Sequence, residues 1–204
     1  MARSEDYNDY LATTIRKTSV VTRYFRQLQM VNFYNTAGQM YVSLGKTTPW
    51  SDPENPDISD TYPPIPDETM TTPQELQGMQ RITWKKFALP YVSPTTAQKN
   101  ANDTIYYKGL YYKTFSDAEE AIEAGCTAVL VLMTADRNEY FPVDISVRQA
   151  CLIAGCNSTD IYLTDEQWNN LSEEDKGHII AINNYEPLSR NATQLEKYYF
   201  LISF

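Results

Sequence analysis

The chain has 204 residues, 13% of them aromatic, and a formal charge of −9 with an isoelectric point near 4.6. That length supports one sizeable core, burying roughly 70% of the unfolded surface, so a single domain over residues 1–204 with appendages is expected. The acidity argues against a nucleic-acid partner, whose phosphates need clustered Lys and Arg, and no run approaches the roughly 18 apolar residues of a membrane span.

The opening of the chain is polar and acidic and does not read as a signal peptide. Residues 1–21 form a peripheral N-terminal segment. Ser4 caps a short stripe of Tyr7, Tyr10 and Leu11 at helical spacing, and Ile15–Val21 has the β-branched content of a short strand. A firmer helix runs from Thr22 to about Thr36. Tyr24, Leu28 and Val31 recur at helical spacing as its expected core stripe, with Phe25 and Tyr34 beside them, and Gly38 supplies its left-handed end. Gln39–Leu44 then alternates as a strand.

Residues 45–72 are a long proline-rich arm. They carry Pro49, Pro53, Pro56, Pro63, Pro64 and Pro66 out of the chain's 11 prolines. Proline fixes φ and removes a backbone donor, which excludes a central strand or a helix interior. Trp50, Tyr62 and Ile65 make the segment too apolar for a solvated linker. It is expected to be an extended arm laid over a surface, its own or a neighbour's.

Pro73 and Glu75 then suggest a helix of one or two turns ending at Gly78. Gln80–Val92 alternates in part and reads as one strand with a bulge near Lys85 and Lys86. Thr95–Asp103 is a polar loop, and Thr104–Thr114 is a strand or tight hairpin around Gly109. Ser116 caps a helix over Asp117–Ala124 that Gly125 terminates. Ala128–Met133 is a continuous apolar run, suited to a strand buried on both faces.

Tyr140–Ile145 and Arg148–Ile153 continue the β pattern. Thr164 and Gln167 frame a helical turn at Trp168, and Ser172–Asp175 repeats that grammar. His178–Asn183 and Gln194–Phe204 are closing strands, the second apolar enough that it has to be packed. There is no strand–helix alternation of the parallel kind. The expected fold is mainly β (α+β), a β-sandwich with short helical inserts, an N-terminal helix and the arm. The 16 tyrosines fit this, since each ring has a large apolar face and a polar tip suited to strands and wet interfaces.

Catalytic grammar is missing. His178 has no nucleophile or carboxylate in a recognisable context. Cys151 and Cys156 lack the second Cys/His pair of a tetrahedral zinc site, and with Cys126 they read as reduced, partly buried thiols. Asp52, Glu54, Asp57 and Asp60 lack the Gly and closing Glu of an EF-hand and read as a solvated acidic rim. No phosphate-loop, dinucleotide or nucleophile-elbow motif occurs. No catalytic, cofactor or metal residue is assigned, and the chain is not expected to be an enzyme.

Two ordered blocks carry a resemblance. The first is Asn32-Phe33-Tyr34-Asn35 at a helix end, then a strand ending Leu44-Gly45-Lys46, then Pro49-Trp50-Ser51, and later Tyr62-Pro63. The second is Phe141-Pro142, Arg148-Gln149 and the ending Phe200–Phe204. In this order they resemble the T4-type phage baseplate wedge protein of the gene product eight family, in a shorter version. Residues 95–135 lie in the stretch without a match and are set apart as a variable insert region.

The resemblance implies a structural subunit of a contractile-tail baseplate wedge, linking neighbouring wedge proteins during assembly and rearrangement. It also implies a homodimer within the wedge and no cofactor. Its location is the virion, after synthesis in the bacterial host cytoplasm. The partner-interface candidates are Phe33, Tyr34, Pro49, Trp50, Tyr62, Pro63 and Phe204. Replacing Trp50 by Ala is expected to weaken assembly more than folding. The alternative, drawn from the Tyr and Trp content, is a carbohydrate- or receptor-binding tail module.

Overall fold

The apolar run Ala128–Ala135 is buried along both faces and becomes an inner strand of one of two antiparallel sheets. The computed structural model describes residues 21–36, 39–135, 141–191 and 195–204. Ten strands form among them. They are β1 (Gln39–Gly45), β2 (Gly78–Arg81), β3 (Trp84–Pro90), β4 (Thr104–Tyr107), β5 (Leu110–Phe115), β6 (Ala128–Ala135), β7 (Ser146–Cys156), β8 (Tyr162–Leu163), β9 (His178–Ser189) and β10 (Glu196–Ser203). Helices are α1 (Arg23–Tyr34), α2 (Thr96–Lys99), α3 (Ala118–Ala124) and α4 (Asp165–Asn169). The first sheet has the order β8-β2-β1-β7-β9 and the second β10-β6-β3-β5-β4, all neighbours antiparallel.

The period of two along each strand places the layers. Met40, Val42 and Leu44 of β1 and Leu152 of β7 face Phe87 of β3 and Val129, Val131 and Met133 of β6, making a β-sandwich core. The alternate residues Tyr41 and Ile153 point outward, yet they are buried too, under Leu76, Leu163 and Trp168. This second cover explains why β1 is buried at nearly every position instead of alternating.

The second sheet curls. The Tyr107 hydroxyl on β4 donates to the Tyr199 carbonyl on β10 at 3.1 Å, although these strands are opposite edges. In a flat sheet they would lie roughly 19 Å apart at the usual strand spacing, well beyond the reach of a tyrosine. Curling folds Leu130, Ala88 and Tyr112 into a small satellite core with Trp84, Tyr107 and Tyr199.

Several expectations hold in detail. Thr164 and Gln167 form a reciprocal capping box at α4, and Gly125 ends α3 with φ of 90°. The hairpin around Gly109 joins β4 to β5. The cap of α3 falls one residue later than expected, because Asp117, not Ser116, accepts from the Glu120 amide.

Other expectations are corrected. No helix follows Pro73; Glu75 enters the left-handed region, with φ of 45°, and Gly78 opens β2. Gln80–Val92 is not one bulged strand. Ile82 and Thr83 carry the chain from β2 in one sheet to β3 in the other, and Lys85 and Lys86 pair in unbroken register with β6. The polar loop before β4 contains α2, held by a Thr95–Gln98 capping box. Residues 141–145 form bends and no strand, and Ser172–Asp175 makes a single turn in which Ser172 accepts from the Asp175 amide.

Most of the stripe expected to bury α1 faces outward instead, Val31 excepted. Tyr24, Phe25 and Leu28 are 73%, 48% and 46% exposed, while Gln27 and Met30 are buried. The physical reason is the face that docks. Gln27 donates to the Ile122 carbonyl of α3 at 2.9 Å and Met30, Val31, Phe33 and Tyr34 meet the core, which leaves Tyr24, Phe25 and Leu28 on the outward side of the helix. The expected helix and strand before Val21, and the roles of Gly38, Tyr140 and Gln194, lie outside the described residues.

Candidate functional site

The arm is the most elaborately fastened feature of the fold, and its fastenings begin with a buried cation. Arg148 lies on β7 among apolar neighbours and is only 6% exposed. A buried guanidinium is costly unless paired and hydrogen-bonded. Asp60 of the arm meets that demand in a bidentate fork, Nε to Oδ1 at 2.7 Å and Nη2 to Oδ2 at 2.9 Å. Arg148 Nη1 donates to the Thr47 carbonyl, so one side chain pins both legs of the arm. The Trp50 amide donates to Asp60 as well, at 2.9 Å. The Arg148 hydrogen bonds, helped by that amide, hold the Asp60 carboxyl at about 2.

The root of the arm is a second knot. Gly45 ends β1 where the returning chain crosses it, and a Cβ there would lie 2.2 Å from the Gln74 carbonyl oxygen. Only glycine permits that approach. The Lys46 amide then donates to the same Gln74 carbonyl at 2.8 Å. Glu75 accepts from the Thr47 and Thr48 amides, both at 2.9 Å, and from Lys46 Nζ at 2.7 Å. Desolvation opposes its charge, but the hydrogen bonds from Lys46, Thr48 and Thr47 outweigh it and hold the carboxyl well below the usual range. Two residues at positive φ, Lys46 and Glu75, are tolerated because this network over-determines them.

Further out, the arm lies against β9. The pairing of β7 with β9 shifts register between Val147 and Gln149, opposite Tyr185–Pro187. There the Trp50 indole N–H donates to the Tyr185 carbonyl at 2.9 Å. Asn184 donates to the Pro64 carbonyl at 2.9 Å, and Pro66–Met70 run beside Ile179–Ile182. The arm therefore embraces its own sandwich. Trp50 is only 7% exposed, whereas Tyr62 and Ile65 are 70% and 93% exposed at the tip.

The interface candidates thus fall into two groups. Pro49 and Tyr62 are exposed on the arm, Pro63 is half-buried there, and Trp50 lies beneath. Phe33, Tyr34 and Phe204 are half-buried at the other end of the core. Phe33 meets Phe204 with ring centroids 5.5 Å apart, and Tyr34 stacks on Phe87 at 4.1 Å and donates to the Lys85 carbonyl.

Sequence reasoning missed Arg148 and Glu75 as fasteners and placed Asp60 in a solvated rim; the fork to Arg148 corrects that reading. The available signal was a lone cation inside the apolar run of β7, which requires a carboxylate from elsewhere. The three cysteines are free and buried, and desolvation pushes Cys126 up to about 11 and Cys151 up to about 12. His178 is exposed. Among the described residues no three His, Cys, Asp or Glu side chains converge as a metal site, and no helix is long and apolar enough to cross a membrane.

A two-sheet β-sandwich whose chemistry is spent on strapping down an arm has the build of a structural subunit. A family model described as baseplate wedge 3 tail fiber network component matches residues 18–204, and the chain belongs to that family. It is a baseplate wedge component of a bacteriophage tail. Comparison with curated proteins finds no match.

Proposed function

We propose that the chain is a wedge subunit of the gene product eight type, in a shorter version. In this reading it is made in the bacterial host cytoplasm, pairs as a homodimer, and links neighbouring wedge proteins during baseplate assembly and rearrangement without catalysing a reaction. The observation that carries the reading is the contrast along the arm. Arg148, Trp50 and Glu75 fix it to the sandwich, while Tyr62 and Ile65 are held out in solvent. Exposed aromatic and aliphatic side chains on a rigid mount are the makings of an interface anchor.

Within that interface Pro49, Tyr62 and Pro63 make the outward contacts, and Trp50 acts through the arm it positions. Phe33, Tyr34 and Phe204 brace the α1 end of the core. The test is sedimentation of wedge intermediates from infected cells carrying tagged protein. The tagged chain is expected to co-sediment with wedge proteins, and a Tyr62→Asp/Ile65→Asp variant to stay in the unassembled fraction. A wild-type chain that never enters wedge complexes would overturn the reading. The second reading, a carbohydrate-binding tail module, draws on the tyrosine-walled cleft beside β10.

A further inference from the structure

Two features of the molecule present apolar and aromatic side chains to solvent, and their chemistry is complementary. One is the arm tip. Tyr62 and Ile65 stand 70% and 93% exposed, framed by Pro63, Pro64 and Pro66 and followed by Asp67 and Glu68. Between Lys46 and Arg81 the chain has no basic residue at all. The other is a cleft of about 430 Å³ where the C-terminal end of β9, the N-terminal end of β10 and the β4–β5 turn come together. Tyr107, Tyr185, Tyr199 and Leu188 line it, with Lys108 and Lys197 exposed beside them.

The cleft is cationic in a chain of net charge −9. Its one acid, Glu196, is engaged by Arg190 at 2.8 Å and by the Tyr198 hydroxyl. Among the described residues no carboxylate pairs with Lys108 or Lys197. Aromatic walls with a basic rim suit an extended, acidic, proline-rich segment. Proline rings lie flat on aromatic faces, and a chain already held extended loses little entropy on docking.

Pro64 is tied to Asn184 on the outer face of β9, whereas the next residue, Tyr185, turns its ring to the inner face and lines the cleft. The tip is thus held on the face of β9 opposite its own cleft, with Tyr62 and Ile65 in solvent. A two-fold arrangement that brings each tip to the cleft of the other copy closes the contact on itself.

We propose that the cleft receives the acidic, proline-rich tip of a second copy of this chain, residues 62–68, in a reciprocal exchange. This rests on the homodimer reading given above and names the surfaces that make it. Sedimentation equilibrium of the full chain and fluorescence anisotropy with a labelled peptide copying residues 60–69 test it together. Two variants are used, Ile65→Asp at the tip and Lys108→Glu/Lys197→Glu at the cleft. All three positions are solvent-exposed, so both variants are expected to melt with the wild type.

The wild type should dimerise, and each variant should do so at least ten-fold more weakly. The peptide should bind saturably to the Ile65→Asp protein, whose cleft is intact, and at least ten-fold more weakly to the Lys108→Glu/Lys197→Glu protein. Dimerisation unchanged in both variants, or peptide binding that is absent or equal in the two proteins, would overturn the exchange. So would a glycan that saturates the cleft where the peptide does not. A monomeric chain that still enters wedge complexes would overturn the exchange and leave the wedge assignment standing. A dimer behaving as expected that never enters them would do the reverse.

Discussion

Arg148 and Asp60 show how one residue pair decides where a long segment goes. The guanidinium is buried, so the carboxylate that neutralises it has little freedom to be elsewhere, and the arm is carried with it. The pair also sets a pH dependence. Asp60 is held at about 2, below its ordinary 3.8. A depressed carboxyl contributes stability that is fully present above its unfolded pKa and is lost as pH falls through the folded value. Between about pH 4 and pH 2 the arm is therefore expected to loosen, with Glu75 shifted in the same direction. Trp50 should report this as a red shift of emission that a Trp50→Phe variant lacks. An Asp60→Asn variant should show the loosened signal already at neutral pH. A flat emission spectrum down to pH 2 in the wild type would contradict the assignment.

At the scale of elements, the arm behaves as two materials. Its root and middle are packed, and its tip is presented. Trp50→Ala empties a buried site and breaks the hydrogen bond to Tyr185, so a loss of about 3–5 kcal/mol is expected. Tyr62→Ala removes an exposed ring and should stay within about 0.5 kcal/mol of wild type. Chemical denaturation of the two variants checks this directly; equal losses would mean that the tip is packed as tightly as the middle. The burial of Trp50 and the exposure of Tyr62 lead us to expect the assembly role at the tip, against the expectation from the sequence that Trp50 matters more for assembly than for folding; the same pair of variants decides between the two. The α1 helix carries a parallel lesson. Its apolar stripe predicts burial, yet the face carrying Gln27 and Met30 is the one that docks, and Tyr24, Phe25 and Leu28 are left in solvent.

Across the whole molecule, burial is layered. Besides the core between the sheets, Tyr41, Ile153 and Trp168 fill a second layer, and Leu130, Ala88 and Tyr112 a third inside the curled sheet. The three thiols are spread through this interior, Cys126 in the main core, Cys156 in the second layer and Cys151 on β7. Desolvation pushes all three upward, which suppresses the thiolate that a thiol reagent attacks. The native protein is expected to resist a maleimide at neutral pH and to react at all three positions only in denaturant. Fast native labelling of any of them would show a local opening that the packing does not predict.

Local rules in the sequence settled much of this protein. Proline density excluded regular structure from residues 46–72, the continuous run Ala128–Met133 required a strand buried on both faces, and the Thr164–Gln167 pair and Gly125 punctuated helices where they stand. Each depends on a φ constraint or on neighbours within one turn, which a single chain segment carries in itself. The ordered Asn32–Asn35 and Pro49–Ser51 blocks likewise pointed to a baseplate wedge protein, the class that the family match supports. Only the tertiary structure decided which sheet received each half of Gln80–Val92, which face of α1 met the core, and that the arm embraces its own sandwich. Those outcomes turn on partners far apart in sequence, Asp60 with Arg148 and Trp50 with Tyr185. A buried charge states that it needs a partner, but which carboxylate answers is fixed only when the sheets have brought them together.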